Sequence, residues 1–213
     1  MQVRLVDEPL FLLVYMPCTY FISFSVCVVG GGDSSGTYLS SVECYDPPTN
    51  TWTLKASLLG GRYVHAVVAM EEKYLFAIGG ASSGSSYLKT CERYSLQEDT
   101  WVTVASLTVG RQALAAASMQ GFIYAVGGSE SGDGDSKVVE RYTPSTDKWE
   151  RVADLGTGRR GLGAAVVNNR LFAVGGYNGS YLKVVEVFNP EENTWGREGD
   201  LGTARGYLAV VGV

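Results

Sequence analysis

Residues able to do acid–base, metal or thiol chemistry are few in this chain, and their spacing argues against a catalytic centre. His65 is the only histidine. It falls in the apolar stretch Val64 to Met70, which suits a core histidine rather than a ligand or general base. A zinc centre needs three or four convergent His, Cys or carboxylate groups, and a Ser-His-Asp triad needs partners the sequence does not supply. Cys18, Cys27, Cys44 and Cys91 show no Cys-x-x-Cys spacing. Cys44 and Cys91 stand one and three residues before a recurring aromatic. No repeated bridge or metal set is therefore expected, and the thiols are expected to be reduced. No Gly-x-x-x-x-Gly-Lys phosphate cradle occurs. No enzyme, cofactor or metal is expected. Asn178-Gly179-Ser180 fits a glycosylation acceptor but is read as a plain loop.

Charged residues that recur at fixed offsets are more informative. Arg62, Arg111, Arg159 and Arg205 match Glu43, Glu92, Glu140 and Glu186 in number. Partly buried charge must be matched, so these sets are expected to pair or to bond backbone groups within or between sheets. A ring of four arginines would alternatively suit an anionic ligand.

The elements that would position them are written four times. Gly30-Gly31, Gly79-Gly80, Gly127-Gly128 and Gly175-Gly176 each close an apolar run, with first-glycine spacings of 49, 48 and 48. A Glu-x-aromatic triplet follows, ending at Tyr45, Tyr94, Tyr142 and Phe188. Trp52, Trp101, Trp149 and Trp195 come seven residues later, and each arginine ten residues after its tryptophan. From Arg62 to Trp101 the unit reads as four strands: Val64 to Met70, Tyr74 to Ile78, Thr90 to Tyr94 and Trp101 to Val104. The first two are apolar throughout, as strands buried on both faces are, while the outer two alternate. The glycines let the chain leave a buried strand beside a neighbouring sheet. The tryptophan offers an apolar face and one N–H for packing between sheets. One such sheet cannot bury both faces alone, so the fold is all-β and radially repeated.

The stretches Ala77 to Gly80 (AIGG), Ala125 to Gly128 and Ala173 to Gly176 (AVGG), Val184 to Pro190 (VVEVFNP) and Ser41 to Pro47 (SVECYDP) closely resemble Kelch motifs of the Kelch-like, BTB-containing type. The resemblance covers about residues 24 to 213. It implies a Kelch β-propeller of four-stranded antiparallel blades, a non-catalytic propeller that captures a protein substrate, and a place in a cullin-type ubiquitin ligase. In that family separate BTB and BACK domains contact the cullin, and no such segment is present in these residues. Actin binding by a cytoskeletal scaffold is the alternative the family suggests. Some Kelch relatives are oxidases with copper held by Tyr and His, but this chain lacks the histidines. A cytoplasmic location is expected.

Three units are whole, Arg62 to Trp101, Arg111 to Trp149 and Arg159 to Trp195. Blades are expected at about 24–58, 62–104, 111–152 and 159–198. Val26 to Leu58 would supply three strands of a blade, and a final strand at 205–213 would supply a first one. About four blades result, as a small ring or, as preferred here, an open arc of a larger propeller. Residues 1–23 form an atypical apolar segment. Pro9 to Val29 runs 21 residues without a charge, long enough to span a bilayer. Pro17, the acidic flank Asp7-Glu8 and the overlap with the first blade argue instead for a strand plus a foreign segment. Net charge of −5 and a pI near 5.0, with no Lys or Arg cluster, argue against a nucleic-acid surface.

Repetition also separates scaffold from site. What every unit shares is structural, whereas what varies at equivalent loop positions is free to recognise a partner. The variable positions are the loop after each glycine pair, with Tyr38, Tyr87, Tyr177 and Tyr181, and the residues after each arginine, Tyr63, Gln112, Arg160 and Tyr207. In Kelch-like propellers these loops meet on one face. Tyr, Ser and Gly suit binding surfaces, since Tyr gives rigid amphipathic contact. Tyr38, Tyr87 and Tyr181, each followed by Leu, would equally suit packing at a strand start. Arg160 beside Tyr177 and Tyr181 is the strongest expected anchor for a protein or peptide.

Overall fold

Each apolar run that ends in a glycine pair becomes the second strand of a four-stranded antiparallel sheet, flanked by the strands its neighbouring turns dictate. The structure, a computed structural model, describes residues 14–18, 23–83, 86–132 and 134–213. The first sheet comprises β1 (Val14–Cys18), β2 (Ser23–Gly32), β3 (Tyr38–Asp46) and β4 (Thr51–Lys55). The second comprises β5 (Ala66–Met70), β6 (Tyr74–Ile78), β7 (Cys91–Ser95) and β8 (Thr100–Val104). The third has β9 (Ala115–Met119), β10 (Phe122–Val126), β11 (Val139–Thr143) and β12 (Lys148–Arg151). The fourth has β13 (Gly163–Val167), β14 (Arg170–Val174), β15 (Val185–Asn189) and β16 (Thr194–Arg197). Strands follow chain order within every sheet, and no helix occurs among the described residues. This is the all-β architecture of a propeller of about four blades.

Register places the aromatic of each triplet directly across from its tryptophan: Tyr45 from Trp52, Tyr94 from Trp101, Tyr142 from Trp149 and Phe188 from Trp195. Successive sheets then stack face to face. Cys27, Val29, Val42 and Cys44 of the first pack on Val67, Leu75, Ala77, Tyr94 and Trp101 of the second. Phe76, Ile78 and Cys91 meet Ile123, Ala125 and Tyr142, and Tyr124, Val126 and Val139 meet Leu171, Ala173 and Phe188. Burial of these apolar faces is what holds one blade to the next, at about 25 cal/mol for each Å² removed from water.

A polar latch fixes the stacking angle. The indole N–H of Trp101 donates to the Ala56 carbonyl at 2.9 Å, Trp149 to Ala105 at 2.9 Å and Trp195 to Ala153 at 2.8 Å. The N–H groups of the same three alanines donate to Oδ1 of Asp99, Asp147 and Asn193 at 2.9, 2.8 and 2.9 Å. These acceptors sit two residues before each tryptophan at φ of 49°, 49° and 51°, a left-handed turn that Asp and Asn tolerate. The Asp99 carboxyl is held below its ordinary range by the Ala56 N–H and then by the Tyr94 hydroxyl.

The glycine pair answers a close approach by the next blade. Gly127 and Gly128 have φ of 60° and 107°, and a Cβ on Gly127 would lie 2.7 Å from the Arg159 carbonyl oxygen. That oxygen accepts the Gly128 N–H at 2.9 Å. Collision and positive φ both require glycine there.

Two differences from the sequence expectations stand out. Residues 205–213 form no strand; they run beside β13, where Val210 packs on Gly163. The innermost strand of the first sheet is instead Val14–Cys18, paired with β2 from Val14–Cys27 to Cys18–Ser23. The rest of the uncharged Pro9 to Val29 run, residues 9–13 and 19–22, lies outside the described residues. No helix among them is long and apolar enough to cross a membrane.

The expectation of reduced thiols fails for one pair, because Cys27 and Cys44 form a disulfide. They face each other across β2 and β3 with Cα atoms 4.1 Å apart. The same cross-strand position holds Phe76 and Arg93 in the second sheet and Tyr124 and Arg141 in the third. Only the first blade puts two thiols there. Cys91 is a buried free thiol, and burial pushes it up to about 12.

Candidate functional site

Two residues before the innermost strands of the second, third and fourth sheets, and again at Tyr207 in the strandless C-terminal segment, the backbone makes a left-handed step that residue type does not announce. Val64, Ala113, Gly161 and Tyr207 have φ of 45°, 50°, 56° and 53°. A β-branched or bulky residue at positive φ is strained and persists only where its surroundings over-determine it. Here the surroundings are the next blade. The Ala113 N–H donates to Val64 O at 2.8 Å, Gly161 to Ala113 O at 2.8 Å and Tyr207 to Gly161 O at 2.6 Å. These bonds form a backbone collar linking blade to blade.

The residue preceding each collar position is one of the expected site residues, or its equivalent: Tyr63, Gln112, Arg160 and Gly206. Each of the first three pairs with the residue just past the glycine pair of its own blade. Tyr63 pairs with Ala81, Gln112 with Ser129 and Arg160 with Tyr177. The two variable loops of a blade thus meet.

They also meet across blades at three places, each with a separation of 25 residues. Tyr38 stacks on Tyr63 with ring centroids 5.6 Å apart and planes inclined by 11°. Asp135 accepts a hydrogen bond from Arg160 Nη1 at 2.7 Å. Gly206 lies against the Tyr181 ring, so that a Cβ there would be 3.2 Å from it. Tyr87 and Gln112 occupy the same two positions between the second and third blades. The loop face therefore carries the same two positions written differently each time, Tyr–Tyr, Tyr–Gln, Asp–Arg and Tyr–Gly, with the two side chains or backbones meeting at the first, third and fourth.

The Arg160 couple is the most elaborate. Besides Asp135, the guanidinium donates from Nε to the Tyr207 hydroxyl at 3.3 Å and lies 4.8 Å over the Tyr177 ring. Tyr177 meets Tyr181 edge-on at 5.4 Å. The Tyr207 bond first, then Asp135, hold Arg160 above the ordinary arginine range. Tyr181 is 57 % and Tyr207 42 % exposed. One fixed cation, one carboxylate and three phenols thus lie together at the surface, with donors and flat apolar faces side by side. Tyr38, Tyr63, Tyr87 and Gln112 are half-buried. Asp135 was not among the residues singled out from sequence. The acidity of its loop was legible, but its partner one blade away was not. A cleft of about 240 Å³ between the Leu59–Arg62 connection and Ser82, Leu88 and Thr90 contains none of the eight expected residues.

The repeating arginines lie beneath this face and are consumed by the scaffold. Arg111 is fully buried; its Nη1 donates to Gly127 O at 2.9 Å and Val138 O at 2.7 Å, and its Nη2 to Glu140 at 2.7 Å. Glu140 also accepts the Thr108 N–H at 2.8 Å. Arg159 repeats this with Gly175, Val184 and Glu186, and Arg62 with Gly79, Thr90 and Glu92. Burial lowers Arg111 and Arg159 against the opposing pull of their glutamates. Three of the four arginines are therefore unavailable to an anionic ligand. Glu43 and Arg205 are exposed, and neither has an ion-pair partner among the described residues.

His65 is part of the packing below the collar, with its ring against Gly30. Both ring nitrogens are sealed from solvent and unpartnered. Burial, then the Arg62 charge, push its pKa down to about 3, so it stays neutral. Among the described residues no group of three or more His, Cys, Asp or Glu is placed to hold a metal ion.

A protein-family model described as the KLHDC2/KLHL20/DRC7 Kelch-repeats domain matches residues 18–203. No curated protein matches the chain.

Proposed function

This chain belongs to the KLHDC2/KLHL20/DRC7 Kelch-repeats domain family, and from that premise we propose that its loop face captures a protein or peptide ligand without altering it chemically. Kelch repeats are protein-interaction modules. The observation that carries the reading is the set of cross-blade couples, above all Asp135–Arg160 with Tyr177, Tyr181 and Tyr207. The scaffold beneath is uniform, while the couples differ in size, charge and hydrogen-bonding capacity. Such variation on a rigid frame is how a surface discriminates sequences, and Tyr and Arg are the residue types that dominate binding energy.

Within that reading, the propeller is the substrate-recognition part of a cullin-type ubiquitin ligase adaptor, with cullin contact made by BTB and BACK regions outside these 213 residues. The chain alone should then not retain cullin in a pull-down. Selection on a displayed library of random 12-residue peptides tests the binding face directly. Enrichment of related sequences on the native chain, lost on Arg160→Ala and Tyr177→Ala at unchanged melting temperature, is the expected result. No enrichment, or enrichment indifferent to both changes, would refute the assignment. Cosedimentation with actin filaments would favour a scaffold instead.

A further inference from the structure

The Cys27–Cys44 bridge is an addition to a sheet that the other blades build without one. Its two positions hold Phe76 and Arg93 in the second sheet, Tyr124 and Arg141 in the third, and Phe172 and Val187 in the fourth. Neither strand pairing nor blade stacking therefore requires a covalent link there. The same difference opens the surface beside it. In the second and third sheets the guanidinium groups of Arg93 and Arg141 lie 4.8 and 4.6 Å over the rings of Tyr74 and Phe122, and in the fourth Arg170 lies 5.6 Å over Phe172. The first sheet has Ser25 where Tyr74, Phe122 and Arg170 stand, and Cys44 where Arg93 and Arg141 stand. With no ring and no guanidinium to fill it, a cleft of about 470 Å³ remains, and its lining includes Ser25, Cys44, Asp46, Thr51, Thr53 and Lys55. Cys44 forms part of the wall, whereas Cys27 lies deeper, packed among Val29, Leu75, Tyr94 and Trp101. Register sets Asp46 across from Thr51, and Lys55 across from Val42. A carboxylate and an ammonium thus flank Cys44 on either side, about 13 Å apart along the strands.

We propose that Cys44 is a thiol-exchange site: a small zwitterionic thiol enters this cleft, its carboxylate at Lys55 and its ammonium at Asp46, and its sulfur attacks Cys44 Sγ. The incoming thiolate forms a new S–S bond to Cys44 as the Cys27–Cys44 bond breaks, and Cys27 leaves with the electron pair and takes up a proton. One thiol is consumed and one, Cys27, appears. A second molecule of the same thiol then attacks the small-molecule sulfur of the adduct. That step frees Cys44 as a thiol and carries away the small molecule's own disulfide, so two thiols have delivered two electrons to the protein. Run backwards, the same steps rebuild the bridge from the oxidised small molecule. The adduct on Cys44 occupies space that an arginine and a ring fill in the second and third blades, so the fold accommodates it. Charges of both signs beside the sulfur concentrate a thiol that carries both, and do nothing for one that carries neither.

The test compares glutathione, which carries both charges, with 2-mercaptoethanol, which carries neither. Each is added to the native chain at neutral pH, the products are trapped by acid and alkylation, and the modified cysteine is located by peptide mass spectrometry. Glutathione is expected on Cys44, with Cys27 alkylated, at least ~10-fold over the reverse arrangement, because only Cys44 faces the cleft. Lys55→Ala should slow the glutathione reaction at least ~3-fold, the scale of one partly exposed charge pair. The 2-mercaptoethanol rate should stay unchanged in that variant, a split that a merely structural lysine would not produce. Ser25→Tyr, which restores the ring of the second blade, should suppress both reactions. Four results would each overturn the proposal: an adduct mainly on Cys27, exchange no faster than global unfolding, a glutathione rate indifferent to Lys55→Ala, or two thiols that oxidised glutathione cannot join.

Discussion

Replacing Arg111 by methionine should destabilise the protein by about 3 to 5 kcal/mol, whereas Arg205→Met should cost under about 0.5 kcal/mol. Both residues stand ten positions after a tryptophan, so any difference belongs to their surroundings. Arg111 supplies three hydrogen bonds to groups sealed from water, and without it Glu140 keeps a single N–H, that of Thr108. Removing one partner of a buried ion pair leaves the other uncompensated, which costs about 3 to 5 kcal/mol, and the two carbonyls that lose a donor add to it only modestly. Removing both charges, as in Arg111→Met with Glu140→Leu, should cost less than Arg111→Met alone. Urea unfolding followed by circular dichroism gives these values, and the single change should lower Tm by roughly 6 to 20 °C. A loss below about 1 kcal/mol for Arg111→Met, or an equal loss for Arg205→Met, would refute the argument that the Arg–Glu pairs fasten the blades.

Other outcomes follow from the same geometry. His65 has a folded pKa near 3 against an ordinary 6.5, so the unfolded chain binds its proton first on acidification. Stability should fall as pH drops from about 6.5 towards 3, by up to about 5 kcal/mol, and His65→Phe should flatten that slope in a pH-resolved denaturation series. Trp101→Ala removes a buried ring and the latch to Ala56, costing about 3 to 5 kcal/mol, while Trp52→Ala should cost less than about 1 kcal/mol. Iodide quenching should reach Trp52 well before Trp101, and equal accessibility would contradict the exposed first face.

The strained collar and the Cys27–Cys44 bridge show where sequence reading stopped. Val64 and Ala113 are residues that rarely take positive φ, and nothing local marks them. The carbonyl and N–H of the neighbouring blade impose the conformation. The disulfide had a signal in the repeat itself, since Cys27 lies three residues before its glycine pair and Cys44 one before its aromatic. In the second and third units those positions hold an aromatic and an arginine. The thiols sit on adjacent strands of one sheet and not at equivalent places in two, so a bridge between them follows no repeat offset.

Glycine pairs, triplets, tryptophans and arginines at a period near 48 determined the strands, their order and the dependence of each sheet on the next, because an alternating or wholly apolar run has few ways to bury its side chains. Only the tertiary structure decided which loops touch. The 25-residue couples join adjacent blades through the angle at which sheets stack. That angle comes from side-chain packing and the Trp–Ala latches, and so does the placing of Asp135 against Arg160. It likewise took coordinates to reveal that Val14–Cys18 occupies the innermost slot of the first sheet and that Glu43 and Arg205 stand apart. Strand pairing at the ends of an array is a competition between segments, and the period of a repeat is silent on which one wins.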